Sequence, residues 1–342
     1  MKHILFCGGG SAGHVVPNLA VMNELKYSHR ISYMGTGGIE KTLVSDAGYS
    51  FFQVDCPKLV RSFTFENFKI PFRLKRAKRE ALEILKKEKP DLVFSKGGFA
   101  SYPAVWAAKK LGIPALTHES DLTAGLCTKL IAKKCARVLC SFPETAQRFE
   151  RGVCTGSPIR REILNGERTR ARRKYGFTED KPVLLVLGGG SGSRALNEAV
   201  RENLPRLMAR FYILHLCGRG NLVPEEAGYV QREYERDMGS AYACADVVLS
   251  RAGSNTVFEL MALKKPAVLV PLQHGSRGDQ YENALYFSRK GLCKLLPENE
   301  LFSLPAAIFE TGRNETLKNN LAACNITSGT PAVIEEIKAV LK

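Results

Sequence analysis

The sequence predicts an α/β protein made of two doubly wound, parallel-sheet domains with a cleft between them, and three observations predict it. First, the apolar run Ile4-Leu5-Phe6-Cys7 empties into Gly8-Gly9-Gly10-Ser11-Ala12-Gly13-His14, and a helical pattern follows. Second, Val183-Leu184-Leu185-Val186-Leu187 empties into Gly188-Gly189-Gly190-Ser191-Gly192-Ser193. Third, short apolar strands alternate with helical segments along almost the whole chain, the rhythm of parallel sheets covered on both faces. At 342 residues, 44% of them hydrophobic, the chain has room for two full cores. Glycine lets backbone N–H groups approach an anion, and a helix N-terminus adds partial positive charge at the same point. Two such turns imply two nucleotide-binding-like halves.

The elements follow in order. After the first turn, Val15, Leu19, Met22 and Leu25 recur at helical spacing, with Pro17 tolerated in the first turn. Residues 30–34 read as the second strand. Leu74, Ala77, Ala81, Ile84 and Leu85 mark a helix that stops before Pro90. Residues 91–94 form a strand that runs into Gly97-Gly98-Phe99-Ala100-Ser101, and the next helix ends at Gly112. A strand at 113–117, a helix over about 123–134 and a strand at 137–140 complete the first half. The second half has strands at 183–187, 212–216, 228–232, 246–249, 267–270 and 292–295. Gly156-Ser157-Pro158 breaks the pattern. It sets the domains at 1–156 and 157–329, with a final helix at 330–342 that crosses back onto the first.

Composition narrows the class. No stretch reaches the ~20 apolar residues that span a bilayer, and no signal peptide opens the chain, so a cytoplasmic protein is expected. Ten cysteines are scattered without a C-x-x-C pair, which reads as small buried hydrophobes and not as a zinc site or disulfide scaffold. A net charge of +16 calls for an anionic partner. One basic cluster, Arg160-Arg161 with Arg168 to Lys174, is equally well a solvated face. The other, over residues 58–96, interleaves Phe63, Phe65, Phe68 and Phe72 with Arg61, Lys69 and Arg73. Apolar wedges beside basic residues suit an anionic membrane surface, the alternative being that these phenylalanines are core. No nucleic-acid motif accompanies the charge.

Several motifs carry chemistry. Gly8, Gly10 and Gly13 match G-x-G-x-x-G, but the second strand ends Met34-Gly35-Thr36-Gly37 with no acid until Glu40, which counts against NAD. His14 stands at a helix start, where the dipole favours neutral imidazole and hence a general base. The bland alternative is a cap or phosphate ligand. Thr117-His118-Glu119-Ser120-Asp121 ends a strand at the same sheet edge. There Glu119 is the rival base, and His118 is either functional or simply buried and hydrogen-bonded. Ser254, Asn255 and Thr256 open a helix that offers N–H groups to phosphate, and Glu259, one turn in, suits a ribose. The loop from Pro271 through Gln280, with Asn283 beyond, is rich in partners for sugar hydroxyls.

Taken together, these motifs resemble the MurG family of peptidoglycan glycosyltransferases, over essentially the whole chain. The likeness rests on Gly9 through His14, Gly97 through Ser101, His118 through Asp121, Gly156-Ser157-Pro158-Ile159-Arg160, the second glycine turn, and Arg251 through Glu259. It implies a GT-B fold of two Rossmann-like domains. It implies UDP-N-acetylglucosamine as donor and an undecaprenyl-diphosphate-linked muramoyl peptide (lipid I) as acceptor, at the cytoplasmic face of the cell membrane. By motif position, Ser11, Ala12 and Gly13 line the first turn, and Asp121 falls at the donor sugar. Arg160 falls at the diphosphate, Gly189 and Gly190 at the second turn, Glu235 near the uracil, and Glu259 at the ribose. Gln280 falls at the sugar hydroxyls, with Ser254, Asn255 and Thr256 beside the donor. His14, or Glu119, is the base, and Phe99 stands on the acceptor side. Ala12, Asp121, Gly190 and Glu235 depart from the commonest family pattern. The reaction implied is inverting transfer. No D-x-D triplet occurs, so no obligatory metal or other cofactor is expected. A UDP-sugar epimerase on the same fold, another lipid-directed glycosyltransferase, and a non-catalytic nucleotide-binding protein are the competing readings.

Overall fold

A computed structural model describes residues 1–57, 70–273 and 277–342. The chain divides into two compact units, Met1–Arg160 with Ser328–Lys342, and Arg161–Thr327.

The first unit runs β1 (His3–Cys7), α1 (Ala12–Leu25), β2 (Arg30–Gly35), α2 (Ile39–Asp46), β3 (Ser50–Gln53), α3 (Ile70–Glu88), β4 (Leu92–Ser95), α4 (Ser101–Leu111), β5 (Ala115–Glu119), α5 (Leu126–Ile131), β6 (Arg137–Cys140), α6 (Pro143–Ala146) and β7 (Gly152–Cys154). Its sheet has the order β3-β2-β1-β4-β5-β6-β7, and every pairing is parallel. The strand order reverses between β1 and β4, the position where open α/β sheets bind ligands beyond the strands' carboxyl ends. One face is packed by Ile4, Phe6, Leu92, Phe94 and Leu116 against α1. The other is packed by Leu5, Val93 and Ala115 against α3 and α4. Helix α4 stops at Gly112, whose φ of 72° lets its amide close back onto the last turn.

The second unit runs α7 (Arg161–Leu164), α8 (Arg168–Tyr175), β8 (Val183–Leu187), α9 (Arg194–Glu202), α10 (Leu204–Met208), β9 (Tyr212–Leu216), β10 (Tyr229–Arg232), α11 (Met238–Cys244), β11 (Val247–Ser250), α12 (Ser254–Ala262), β12 (Ala267–Leu269), α13 (Asp279–Arg289), β13 (Lys294–Leu295), α14 (Leu304–Arg313) and α15 (Glu315–Ala323). Its sheet, β10-β9-β8-β11-β12-β13, repeats the order of the first with one strand fewer. All its pairings are parallel.

Helix α16 (Thr330–Leu341) belongs to the first unit. Val333, Ile337 and Leu341 join the core beside α1. The sequence sets the boundary at 156/157, whereas the compact units divide at 160/161 and at 327/328. Hydrogen bonding gives the reason. The Ile159 amide donates to Ser328 Oγ and Thr330 Oγ1, and the Gly329 amide donates to the Ser157 carbonyl. A Cβ on Gly329 would stand 2.5 Å from the Thr155 oxygen, so only glycine lets the returning chain approach this closely. All ten cysteines are free thiols, and only Cys154 is exposed. No described helix is long and apolar enough to cross a membrane.

Candidate active site

In the first unit, α1 begins at Ala12, so His14 lies in its first turn. Its Nδ1–H donates to the Lys96 carbonyl at 3.1 Å. A carbonyl oxygen only accepts, so this bond places the proton on Nδ1. In the neutral ring, Nε2 then carries the lone pair. The ring lies across Gly97 and Gly98, which have φ of 80° and 76°. A Cβ on Gly98 would come 3.1 Å from the ring and 2.5 Å from the Gly9 oxygen. Those two glycines are therefore what allow the histidine its position. Phe99 leans on the first turn, where a Cβ on Gly10 would stand 2.6 Å from its ring. Ser11 and Gly13 are exposed and Ala12 is half-buried along the turn.

Behind this turn lies Glu40, fully buried. The Thr36 amide and hydroxyl both donate to its Oε1. Burial pushes its proton affinity up, but hydrogen bonds from Thr36 and from backbone amides, Gly10 among them, outweigh that and hold the carboxyl below the usual glutamate range. Hypothetical Cβ atoms on Gly9, Gly35 and Gly38 would stand 2.6, 2.8 and 3.1 Å from its side chain. The acid absent from the end of β2 is thus turned inward, under the glycines.

At the end of β5, the Glu119 carboxylate is 7% exposed. Its Oε1 accepts the Asp121 amide at 3.2 Å and its Oε2 the Gly125 amide at 2.9 Å. Both oxygens clamp the loop that carries half-buried Asp121. His118 is buried, and its Nε2–H donates to the Gly156 carbonyl at 3.0 Å. Burial first, and then the Lys96 charge, hold it neutral, well below the ordinary histidine range. It ties β5 to the turn preceding half-buried Arg160.

In the second unit, a cavity of about 540 Å³ opens at the second glycine turn, on the carboxyl side of β8 and β11. Gly188, Gly189, Gly192 and Ser193 form one wall, with Arg251, Thr256, Gln280 and Glu298 around them. The backbone explains the glycines. Gly192 has φ of 78°, and a Cβ there would stand 2.2 Å from the Cys217 oxygen. Gly189 has φ of 85° with open space around it. Ser193 caps α9, its Oγ accepting the Leu196 amide at 3.4 Å and Arg251 Nε at 3.0 Å. Arg251 is 8% exposed, and its Nη1 also donates to the Val270 carbonyl and to Glu298. The cavity thus joins a helix N-terminus to a buried cation, a combination suited to a phosphate ester.

The other expected donor residues distribute unevenly. Ser254, Asn255 and Glu259 stand on α12 beside the cavity-lining Thr256, and Tyr242 donates to Glu259 Oε2 at 2.8 Å. Gln280 presents Oε1 to the Leu272 amide at 3.1 Å, bracing the loop at the rim. Gly190 sits in the exposed tip of the second turn. Glu235 does not line the cavity. Its carboxylate accepts Lys174 Nζ, the Tyr175 hydroxyl and the Asp237 amide, so its side chain serves the packing of α8. Lys96 and Glu298 are the groups that motif reading left out, while Ser193 and Arg251 stood inside quoted motifs without a role of their own. A cation standing directly after a fully buried parallel strand that ends in serine, as Lys96 and Arg251 both do, was the available signal.

Of the membrane-side residues, Phe63, Phe65, Phe68 and Lys69 lie outside the described residues. Phe72 is 78% exposed at the start of α3. Arg73 pairs with Asp55 at 2.8 Å. A groove of about 570 Å³ between α3 and α4 has Leu74, Leu82 and Trp106 in its floor and Lys75, Lys78, Arg79 and Lys110 around it. Lys78 Nζ stacks 5.0 Å over Tyr102 and 5.2 Å over Trp106.

Two units of one strand order, each turning through glycines at its switch point, are the two Rossmann-like halves of the GT-B fold. Residues 4–140 match the glycosyltransferase family 28 N-terminal domain, and residues 183–337 match its C-terminal domain. A UDP-N-acetylglucosamine–N-acetylmuramyl-(pentapeptide) pyrophosphoryl-undecaprenol N-acetylglucosamine transferase of Clostridium botulinum (strain Loch Maree / Type A3) is 41% identical, with all of both chains covered. The enzyme of the same name from Clostridium kluyveri is 45% identical over 88% of each chain. The crystal structure of Acinetobacter baumannii MurG superposes with a TM-score of 0.76 at 25% identity, covering 99% of this chain and 100% of that one. The chain belongs to glycosyltransferase family 28 and, within it, to the MurG family.

Proposed function

We propose that the protein transfers N-acetylglucosamine from UDP-N-acetylglucosamine to the 4-hydroxyl of the muramoyl sugar of lipid I, with inversion, forming lipid II for peptidoglycan synthesis. The observation that carries this is the full-length likeness to transferases of that name, at 41% identity with both chains wholly covered. The site supports it chemically. His14 Nε2 takes the proton of the attacking hydroxyl, its ring held in the required tautomer by the Lys96 carbonyl. Charge developing on the departing UDP is met by the amides of the second turn and the α9 N-terminus, in the cavity that Arg251 borders. By motif position, Glu259 suits the ribose, Gln280 the sugar hydroxyls, Asp121 the donor sugar and Arg160 the diphosphate. These roles rest on motif position, and no metal is required in them.

The α3–α4 groove and the exposed Phe72 support peripheral attachment to an anionic membrane. Sedimentation with phosphatidylglycerol vesicles tests this. Neutralising Lys75, Lys78 and Arg79 together is expected to lower binding by about 1 kcal/mol per charge, whereas unchanged binding removes the groove from that role. The reaction itself is tested by incubating the protein with labelled UDP-N-acetylglucosamine and a lipid I analogue, with and without a chelator. Label moving to the lipid in both samples is the expected result. Epimerisation or hydrolysis with no labelled lipid would favour the epimerase reading instead.

A further inference from the structure

The end of β4 links two groups that are far apart in sequence. Lys96 is 2% exposed. Its carbonyl accepts His14 Nδ1–H, and its Nζ donates to Ser120 Oγ. One residue therefore holds the candidate base with its backbone and the Glu119–Asp121 turn with its side chain. The groups whose charge acts on the ammonium are Glu119 and Asp121, which favour it, with a smaller contribution from Cys140 on β6. His118 on β5 feels the Lys96 charge in turn. Burial is the largest influence and brings the amine down to about 8, inside the range in which an enzyme is assayed.

We propose that Lys96 is a positioning residue of the transfer site: its ammonium is the fixed counter-charge that holds the Glu119–Asp121 turn in its donor-binding shape, while its carbonyl orients His14. Without that charge, the two carboxylates whose charge favours the ammonium lose their common counter-charge, and the Ser120 hydroxyl loses its donor. Asp121 then shifts, and donor binding suffers before chemistry does. This inference rests on reading the region as a sugar-transfer site.

The test compares wild type, Lys96→Met and Ser120→Ala by steady-state transfer across the neutral-to-alkaline range, alongside NMR of lysines labelled at Cε. Wild type is expected to lose activity along a limb near 8 and to show one lysine titrating with it. Lys96→Met is expected to lack both features and to raise donor KM about tenfold, the scale of one hydrogen bond to a charged group, with kcat less affected. In Ser120→Ala the ammonium loses its acceptor, so the limb moves to lower pH. The melting temperature of Lys96→Met near neutrality checks that the variant is folded, so that a raised KM reads lost positioning and not unfolding. A Lys96→Met enzyme with wild-type donor KM and an intact alkaline limb would overturn the proposal, as would the absence of any lysine titrating near 8. The NMR titration reads the amine whether or not transfer occurs. A wild-type protein that moves no sugar to lipid I would therefore count against the functional reading and leave this result interpretable.

Discussion

The two glycine turns are alike in sequence and opposite in construction. Each follows a five-residue buried strand and opens a helix. The first is filled from behind by the Glu40 carboxylate, while Phe99 leans on Gly10 and the His14 ring lies against Gly98. The second faces a cavity of about 540 Å³ bordered by a buried arginine. The Glu40 carboxylate behind Gly10 does part of the electrostatic work that a bound phosphate would do, which suits the first turn to carrying His14. The second turns its backbone toward open space, with Arg251, paired to Glu298, at the border of the cavity. The same pattern of residues yields a scaffold in one unit and a binding site in the other, according to what packs beneath it.

The sharpest way to break this contrast is His14→Ala. If the first turn is a mount for the base, turnover falls by ~10²-fold or more while donor binding stays intact. Near-normal kcat would remove His14 from that role. Glu40→Gln probes the mount itself. It substitutes an amide where Thr36 donates twice, and an expected loss of about 1–3 kcal/mol in unfolding free energy reads the disrupted contact. The sign of its pH dependence is fixed. The folded carboxyl lies below its ordinary value of 4.5, so its contribution is fully present above that value and fades as pH falls through the folded pKa. Urea titrations of wild type and Glu40→Gln should therefore converge in acid; a gap that widens there would show the carboxylate is not held ionised.

On the second turn, Gly189→Val places a β-branched residue at a φ of 85° without touching the core, since nothing lies within 4 Å of the new Cβ. UDP affinity is expected to fall about tenfold, because the free turn relaxes away from this φ and roughly 1.4 kcal/mol is needed to restore it on binding, with the melting temperature nearly unchanged. Glu298→Gln should act least and in the other direction. It removes the carboxylate paired with Arg251 and tightens UDP binding by about two- to threefold, on the scale of a partly exposed ion pair. Weaker binding would mean that Glu298 instead holds Arg251 in its productive position.

Much of this architecture was legible in the sequence, and the exceptions have physical causes. Strands β6, β8 and β9 stand where their apolar runs place them; β8 is an unbroken hydrophobic stretch, as strands buried on both faces are, and β6 and β9 are so apart from Arg137 and His215. The edge strands β3 and β7 were missed. Ser50-Phe51-Phe52-Gln53 is only half-buried, and Gly152-Val153-Cys154 is three residues long, so neither carries that signal. Helix α5 is shorter than the expected 123–134, because residues 121–125 form the loop that Glu119 clamps and 132–134 tighten into a 3-10 turn. Within the candidate site, the motifs marked His14, Glu119 and the second turn. The inward direction of Glu40, the clamping role of Glu119 and the two contacts of Lys96 depend on rotamer and strand register, which no spacing rule encodes.

The division of labour between the turns is tested most directly by titrating UDP into His14→Ala and Gly189→Val side by side. The account predicts that His14→Ala binds UDP like wild type yet transfers no sugar, and that Gly189→Val binds it about tenfold more weakly. UDP affinity lost in His14→Ala and kept in Gly189→Val would contradict it.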